Sequence, residues 1–221
     1  MCGEVAKQIA PHLKPGAIIS DVGSVKGAVV AQVAPHLSAQ VHFVPAHPIA
    51  GAELNGASAA RAELYRGKKL VLAALPETDP AAAARVTAAW QACGARVFPM
   101  TPELHDKTFA AVSHLPHVLA FALVDEIARK PHADVLFQYA ASGFRDFTRI
   151  AASDPTMWRD IFLNNRDAVL EMLGRFSEDL TALQRAVRHP ADDCVLVHRE
   201  AQESVAGLIG DIGQAVHLCA D

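Results

Sequence analysis

The hydrophobic pattern of this chain changes period once, near residues 99–102, and that change limits what it can fold into. Before it, short β-rich runs alternate with helical stretches. Residues 17–22, 42–46, 69–74 and 95–100 read as strands, 26–37 and 80–93 as helices between them, and 58–65 as a further helix. Pro15-Gly16 and Cys93-Gly94 supply the breaks. Such alternation predicts a wound α/β sheet. Beyond the change, strand-like runs vanish: a long helix opens at Pro102-Glu103 and runs to about residue 129, with further helices at 133–140, 154–164, 165–187 and 192–213. Leu163, Val169, Leu170, Leu173, Phe176, Leu180 and Leu183 recur at helical spacing, the pattern of a core face or a subunit interface. The expected organisation is α/β over residues 1–100 followed by all-α over 101–221.

With 221 residues, 51% of them hydrophobic, the chain has ample material for a buried core. A net charge of only -4 provides no basic field for nucleic acid or an anionic membrane surface, which favours a small-molecule partner. Cys2, Cys93, Cys194 and Cys219 are scattered without a C-x-x-C pair and read as thiols in a reducing cytoplasm. Apolar runs such as residues 70–75 fall well short of the roughly 20 residues a membrane span needs. The first residues show no secretory signal; they read as the middle of an amphipathic helix, with Val5, Ile9 and Leu13 on one face, and so as a truncated start.

Four segments carry candidate chemistry. Asp21-Val22-Gly23-Ser24-Val25-Lys26-Gly27 joins a strand to a helix, where free backbone N–H groups and the positive end of the helix dipole gather; the plainer reading is that Asp21 or Ser24 caps the helix. His47-Pro48-Ile49-Ala50-Gly51-Ala52-Glu53 places an imidazole at a second strand end, where it can share a proton near neutral pH, with Pro48 and Gly51 shaping the turn. In Ser113-His114-Leu115-Pro116-His117 the two histidines share a helical face; without a third ligand at metal spacing they read as substrate-binding or as a packed pair, not a metal site. Residues 143–150 and 153–158 offer Arg149 as a planar fork for a carboxylate, Asp146 to orient it and Trp158 to wall a pocket, although Asp154-Pro155 is also an ordinary helix start.

In this order, D-V-G-S-V-K-G, H-P-I-A-G-x-E, S-H-L-P-H and G-F-R-D-F-T-R-I-A-x-S-D-P-x-M-W resemble the prephenate/arogenate dehydrogenase family over roughly residues 5–187. The resemblance implies a Rossmann-like sheet, lacking the N-terminal part of the dinucleotide-binding domain, plus a helical substrate-binding and dimerisation domain. It implies oxidation of prephenate or arogenate by hydride transfer to NAD or NADP with loss of the ring carboxylate, in tyrosine biosynthesis, by a cytoplasmic homodimer. His47 matches the histidine that accepts the ring hydroxyl's proton, and Ser24 the serine that fixes this hydroxyl and the nicotinamide. Gly23, Ser24 and Pro48 match cofactor-side positions. Arg149 matches the carboxylate-binding arginine, His117 and Ser113 line the same pocket, and Glu53, Asp146 and Trp158 gate or shape it. No G-x-G-x-x-G fingerprint occurs in the 221 residues. A non-catalytic dimeric remnant and another β-hydroxyacid-type dehydrogenase remain as alternatives.

Overall fold

The computed structural model describes residues 2–51, 58 and 60–188. Packing groups Met1–Met172 in one compact unit and Leu173–Asp221 in a second. Helix α1 (Cys2–Ile9) leads into β1 (Ile18–Ser20), α2 (Lys26–Val33), β2 (His42–Val44), β3 (Ala46–Pro48), β4 (Lys69–Leu72), α3 (Pro80–Ala92) and β5 (Arg96–Pro99). β1 and β2 pair in parallel, while β4 pairs parallel with β5 and antiparallel with β3.

Side chains alternate across the strands, and the two faces are covered by different helices. Phe43 and Ile19 meet Ala6 of α1 and Val29 and Val33 of α2. Val44 and Ile18 turn the other way, toward Ala82 and Val86 of α3. This is the wound layering that the alternation of strand and helix predicts. Fully buried Leu70 and Val44 anchor the α3 side, and each such side chain contributes about 1.5–3 kcal/mol of burial free energy. β1 has β2 as its one ladder partner among the described residues, so its other edge carries no strand.

Three local departures from the sequence reading have physical causes. The run 42–46 is two strands, because Pro45 has no N–H to donate and the chain changes partner there. Its carbonyl instead accepts from Ala73 N at 2.8 Å. Helix 26–37 tightens after Val33 into a 3-10 turn, Ala34–His36, around Pro35. The described part of 58–65 is a run of turns with three-residue closures, Leu64 N to Arg61 O and Arg66 N to Glu63 O, and not an α-helix. At Gly94, φ +84° and a main-chain neighbour, Arg66 Cα, only 3.1 Å from any added Cβ require glycine. There α3 ends in paired bonds, Gly94 N to Gln91 O and Ala95 N to Trp90 O.

Beyond β5, α4 (Pro102–Phe109), a π-turn (Ala110–His114) and α5 (Leu115–Ala128) form one continuous helix. The ring of Pro116 crowds the carbonyl of Val112 four residues earlier, and the wider turn, closed by Leu115 N to Ala110 O, relieves that crowding. By length and composition Pro102–Ala128 could cross a membrane, a longer apolar segment than the sequence runs suggest. Its buried His105 and His114, however, are bonded to protein groups. Helices α6 (Ala133–Gln138), α7 (Ser142–Thr148), α8 (Pro155–Asn164) and α9 (Arg166–Arg188) follow. α7 falls where the sequence shows only a motif, since Gly143 weakens the helical signal. Of the leucine stripe, Val169 is buried but Leu163, Leu170 and Leu180 are 64%, 52% and 49% exposed. Residues 192–213 lie outside the described residues.

Candidate active site

The strand end after β1 is built around a buried ion pair. Asp21 takes the Nζ of Lys26 as a partner, and its carboxylate also accepts from Gly23 N at 2.8 Å and Ala46 N at 3.1 Å. Lys26, 0% exposed, donates a second bond to Ala46 O at 2.6 Å. The pair therefore ties the turn before α2 to the start of β3 and sets the position of His47. Burial lowers the Lys26 pKa, outweighing the attraction of Asp21.

The free N–H groups expected at the start of α2 are occupied. Asp106, from the first turns of α4, accepts from Lys26 N and Gly27 N, each at 2.8 Å, and so caps a helix 80 residues away in sequence. Neither Asp21 nor Ser24 serves as that cap: the N-cap residue is Val25, with no side-chain bond. Because two leading N–H groups are taken, this terminus is not open to a phosphate. Burial works to raise the Asp106 carboxyl, but the bonds from His105 and from the N–H groups of Lys26 and Gly27 outweigh it and leave its pKa below the usual range.

His47 sits half-buried on β3, with Nδ1 2.8 Å from Nε2 of His105. His105 is fully buried, and its Nδ1 lies 2.7 Å from Asp106 Oδ1. Phe109 packs on both imidazoles, with ring centroids 4.9 Å from His47 and 4.4 Å from His105. Burial is the main cause that pushes His47 down to about 3, and the electrostatic influence of His105, Lys26 and His114 adds to it. It is neutral at physiological pH, the form a general base requires.

Further along the helix, His114 in the π-turn is 1% exposed and takes an amide hydrogen of Asn165 at 3.1 Å. Burial pushes its pKa down to about 4 against the pull of Asp106. His117 Nδ1 bonds to the carbonyl of Ser113 at 2.9 Å, and its ring stacks on Trp158 with centroids 3.5 Å apart. Burial and the charge of Arg149 lower its pKa, while the Ser113 bond opposes them. His47 thus feels His114, His114 feels His117, and His117 feels Arg149. Trp158 is 7% exposed, its Nε1 has no hydrogen-bond partner, and it packs against Val25 and Ile161.

A cleft of about 590 Å³ runs beside the end of β1, bounded by Gly23, Ser24, Asp154, Thr156 and Met157. Neither His47 nor Arg149 lines it. Its link to the histidines is Val25, which lines the cleft and packs on Trp158. Arg149 and Asp146 are exposed, Pro48 is half-buried beside His47, and Glu53 lies outside the described residues. Among the described residues no group of three potential metal ligands occurs. Sequence reasoning missed Lys26, His105, Asp106 and Asn165; the five-residue spacing of Asp21 and Lys26 was inside a recognised motif, but a helix cap from Asp106 leaves no local signal.

Comparison with known proteins agrees with this architecture. Residues 1–99 match the family model described as prephenate dehydrogenase, nucleotide-binding domain, and residues 101–199 the one described as prephenate dehydrogenase, dimerization domain. The chain is 38% identical over 212 residues to cyclohexadienyl dehydrogenase of Zymomonas mobilis, covering 95% of this chain and 72% of that enzyme. It is 34% identical to prephenate dehydrogenase of Bacillus subtilis over 77% of this chain and 46% of that one. Prephenate dehydrogenase of Aquifex aeolicus, solved with hydroxyphenyl propionate and NAD+, superposes with a TM-score of 0.85 at 41% identity, over 93% of this chain and 72% of the other. On these matches, the chain belongs to the prephenate dehydrogenase family.

Proposed function

We propose that this chain carries the substrate-side chemistry of an NAD-dependent oxidative decarboxylation of prephenate or arogenate, with His47 as general base. The observation that carries the reading is the neutral, half-buried imidazole of His47 on β3, held by its 2.8 Å contact with His105. Removing hydride from a carbinol carbon makes its O–H acidic, and a positioned neutral imidazole takes that proton. Arg149 and His117 hold a substrate carboxylate, Ser113 and Trp158 wall the pocket, and Asp146 shapes its rim.

The cleft fits the nicotinamide end of the cofactor, because Gly23 and Ser24 line it; Pro48, the remaining cofactor-side position, ends β3 next to His47. It does not fit the pyrophosphate, because Asp106 already occupies the leading N–H groups of α2. When bound, the nicotinamide supplies the hydride acceptor, and Ser24 orients the reacting hydroxyl against it. NAD, in place of NADP, is supported by the NAD+ complex of the Aquifex aeolicus enzyme.

Residues 1–100 form the cofactor-side domain and 101–221 the substrate-binding and dimerisation domain of a homodimer. Support for the dimer comes from the exposed Leu163 and Leu170, which a second subunit would cover. The half-buried Cys2 and exposed Cys93 thiols, both free, fit a reducing cytoplasm. The test is an assay of NAD+ reduction with prephenate and with arogenate, read together with carbon dioxide release and calorimetric titration of hydroxyphenyl propionate. Equimolar reduced cofactor and carbon dioxide are expected; absence of both turnover and titratable binding overturns the reading.

A further inference from the structure

We infer that His105 is a positioning residue that, held by Asp106, fixes the tautomer of His47 and leaves the Nε2 of His47 as the basic nitrogen facing substrate. This rests on the reading of His47 as base and deepens it.

The assignment follows from counting hydrogens. Asp106 is a carboxylate and can only accept; its Oδ1 takes Lys26 N at 2.8 Å and faces His105 Nδ1 at 2.7 Å. The proton in the second contact must therefore come from His105, and in a ring that carries one hydrogen this places it on Nδ1 and leaves Nε2 as an acceptor. That Nε2 lies 2.8 Å from His47 Nδ1, a contact that also needs one hydrogen. Only His47 can supply it. A neutral His47 with its hydrogen on Nδ1 carries its lone pair on Nε2, the atom free to take the proton of a hydroxyl.

During reaction the O–H bond breaks and its proton goes to His47 Nε2, and the electron pair left on oxygen forms the new carbonyl as the carbinol C–H bond breaks, its hydride being taken by the nicotinamide that the proposed reaction would supply. The resulting imidazolium keeps its Nδ1–H on His105, whose own Nδ1–H remains on Asp106. Positive charge on His47 is thus stabilised through a chain anchored on a carboxylate that two backbone N–H groups hold in place. The anchor needs close approach: a Cβ on Gly27 would lie 2.9 Å from Asp106 Oδ2. Phe109, packed on both rings, keeps them from turning out of line.

The test separates the relay from the base. Long-range proton–nitrogen NMR on the labelled chain reads the tautomer of each imidazole without any turnover. In the unmodified chain His47 is expected to carry its hydrogen on Nδ1. In His105→Phe the acceptor is lost and His47 should become a tautomer mixture, while His105→Gln, whose amide oxygen can accept, should restore the single form. Misplaced chemistry of this kind costs on the order of 10²-fold in turnover, so kcat should fall by about that much in His105→Phe with little change in KM, and largely recover in His105→Gln. An unchanged tautomer and unchanged kcat in His105→Phe overturn the inference. If His105→Phe does not fold, Gly27→Ala displaces the carboxylate without touching either ring, and an unaltered His47 tautomer there overturns it equally. Full turnover in His47→Asn would sink the base assignment alone, because the NMR result stands independently of it.

Discussion

Asn165, between α8 and α9, gives one amide hydrogen to the main-chain carbonyl of Asp106 at 2.8 Å and the other to Nδ1 of His114 at 3.1 Å. A carbonyl only accepts, so the amide orientation is settled by its first bond, and the neutral ring of His114 must carry its hydrogen on Nε2. His114 and His47 are therefore held in opposite tautomers, one presenting a donor and the other a base.

Replacing Asn165 by Leu leaves the buried Nδ1 of His114 unsatisfied and removes one of two bonds to the Asp106 carbonyl, which still accepts from Ala110 N. An orphaned buried group costs about 1–3 kcal/mol, so Asn165→Leu should lower unfolding free energy in urea by roughly 1–3 kcal/mol. Asn165→Asp should act differently. Its carboxylate faces the Asp106 carbonyl and draws a proton onto His114 Nδ1, so the His114 pKa should rise in an NMR titration. A His114 pKa that stays at its low value in that variant would place Asn165 outside the ring's hydrogen-bond partners.

The buried imidazoles set a pH window for stability. His114 titrates at about 4 and His47 at about 3 in the folded chain, both below the ordinary histidine value of 6.5. Between those values the unfolded chain binds protons that the folded chain refuses, so stability falls as the pH drops below 6.5 and the loss continues to about 4. The slope for one fully buried group is at most about 1.4 kcal/mol per pH unit. Asp106 has the opposite sign and a lower window: its depressed pKa means its contribution is lost only below 3.8. The melting temperature should therefore drop steadily from pH 6.5 to pH 4, and His114→Gln should flatten that slope. A pH-independent melting temperature across this range would contradict the burial of these rings.

Much of this was legible in the sequence because it was periodic or local. Strand–helix alternation located β1, β2, β4 and β5, and Asp154-Pro155 announced a helix whose first turn Asp154 does cap, accepting from Met157 N at 2.8 Å. His47 could be singled out because a histidine and a proline follow a strand. What escaped was nonlocal. Asp106 and His105 look like ordinary polar residues at the start of a helix, and their role arises only when α4 packs against the first turn of α2. The π-turn was hidden for a related reason: Pro116 signals a disturbance, but whether the helix breaks or widens depends on what packs around it.

The Asp21–Lys26 pair offers a test of how the site is held. Removing one partner of a buried pair costs about 3–5 kcal/mol, because the other charge is left without compensation. Lys26→Met should therefore destabilise strongly. Asp21→Asn in the same chain should recover part of the loss, although the bonds from Gly23 N and Ala46 N then meet a weaker acceptor. A double-mutant cycle on urea midpoints reads the coupling directly. Strict additivity of the two losses would mean that the pair does not anchor the turn before α2.

Arg149 and His47 should fail in different ways. A carboxylate gripped in the ground state is lost when Arg149 becomes Gln, and a charge-assisted bond is worth about 1.5–3 kcal/mol, so KM should rise roughly ten- to a hundredfold while kcat changes little. His47→Asn removes the base, which contributes about 10²–10⁴-fold in turnover, and should lower kcat with KM nearly constant. A third measurement links them without substrate. Because the positive charge of Arg149 helps hold the His117 pKa down, Arg149→Gln should raise it in an NMR titration, whereas His47→Asn should leave it in place. If His117 does not respond to the loss of Arg149, the guanidinium is not beside that ring in solution, and the carboxylate site must be sought elsewhere on the helical face.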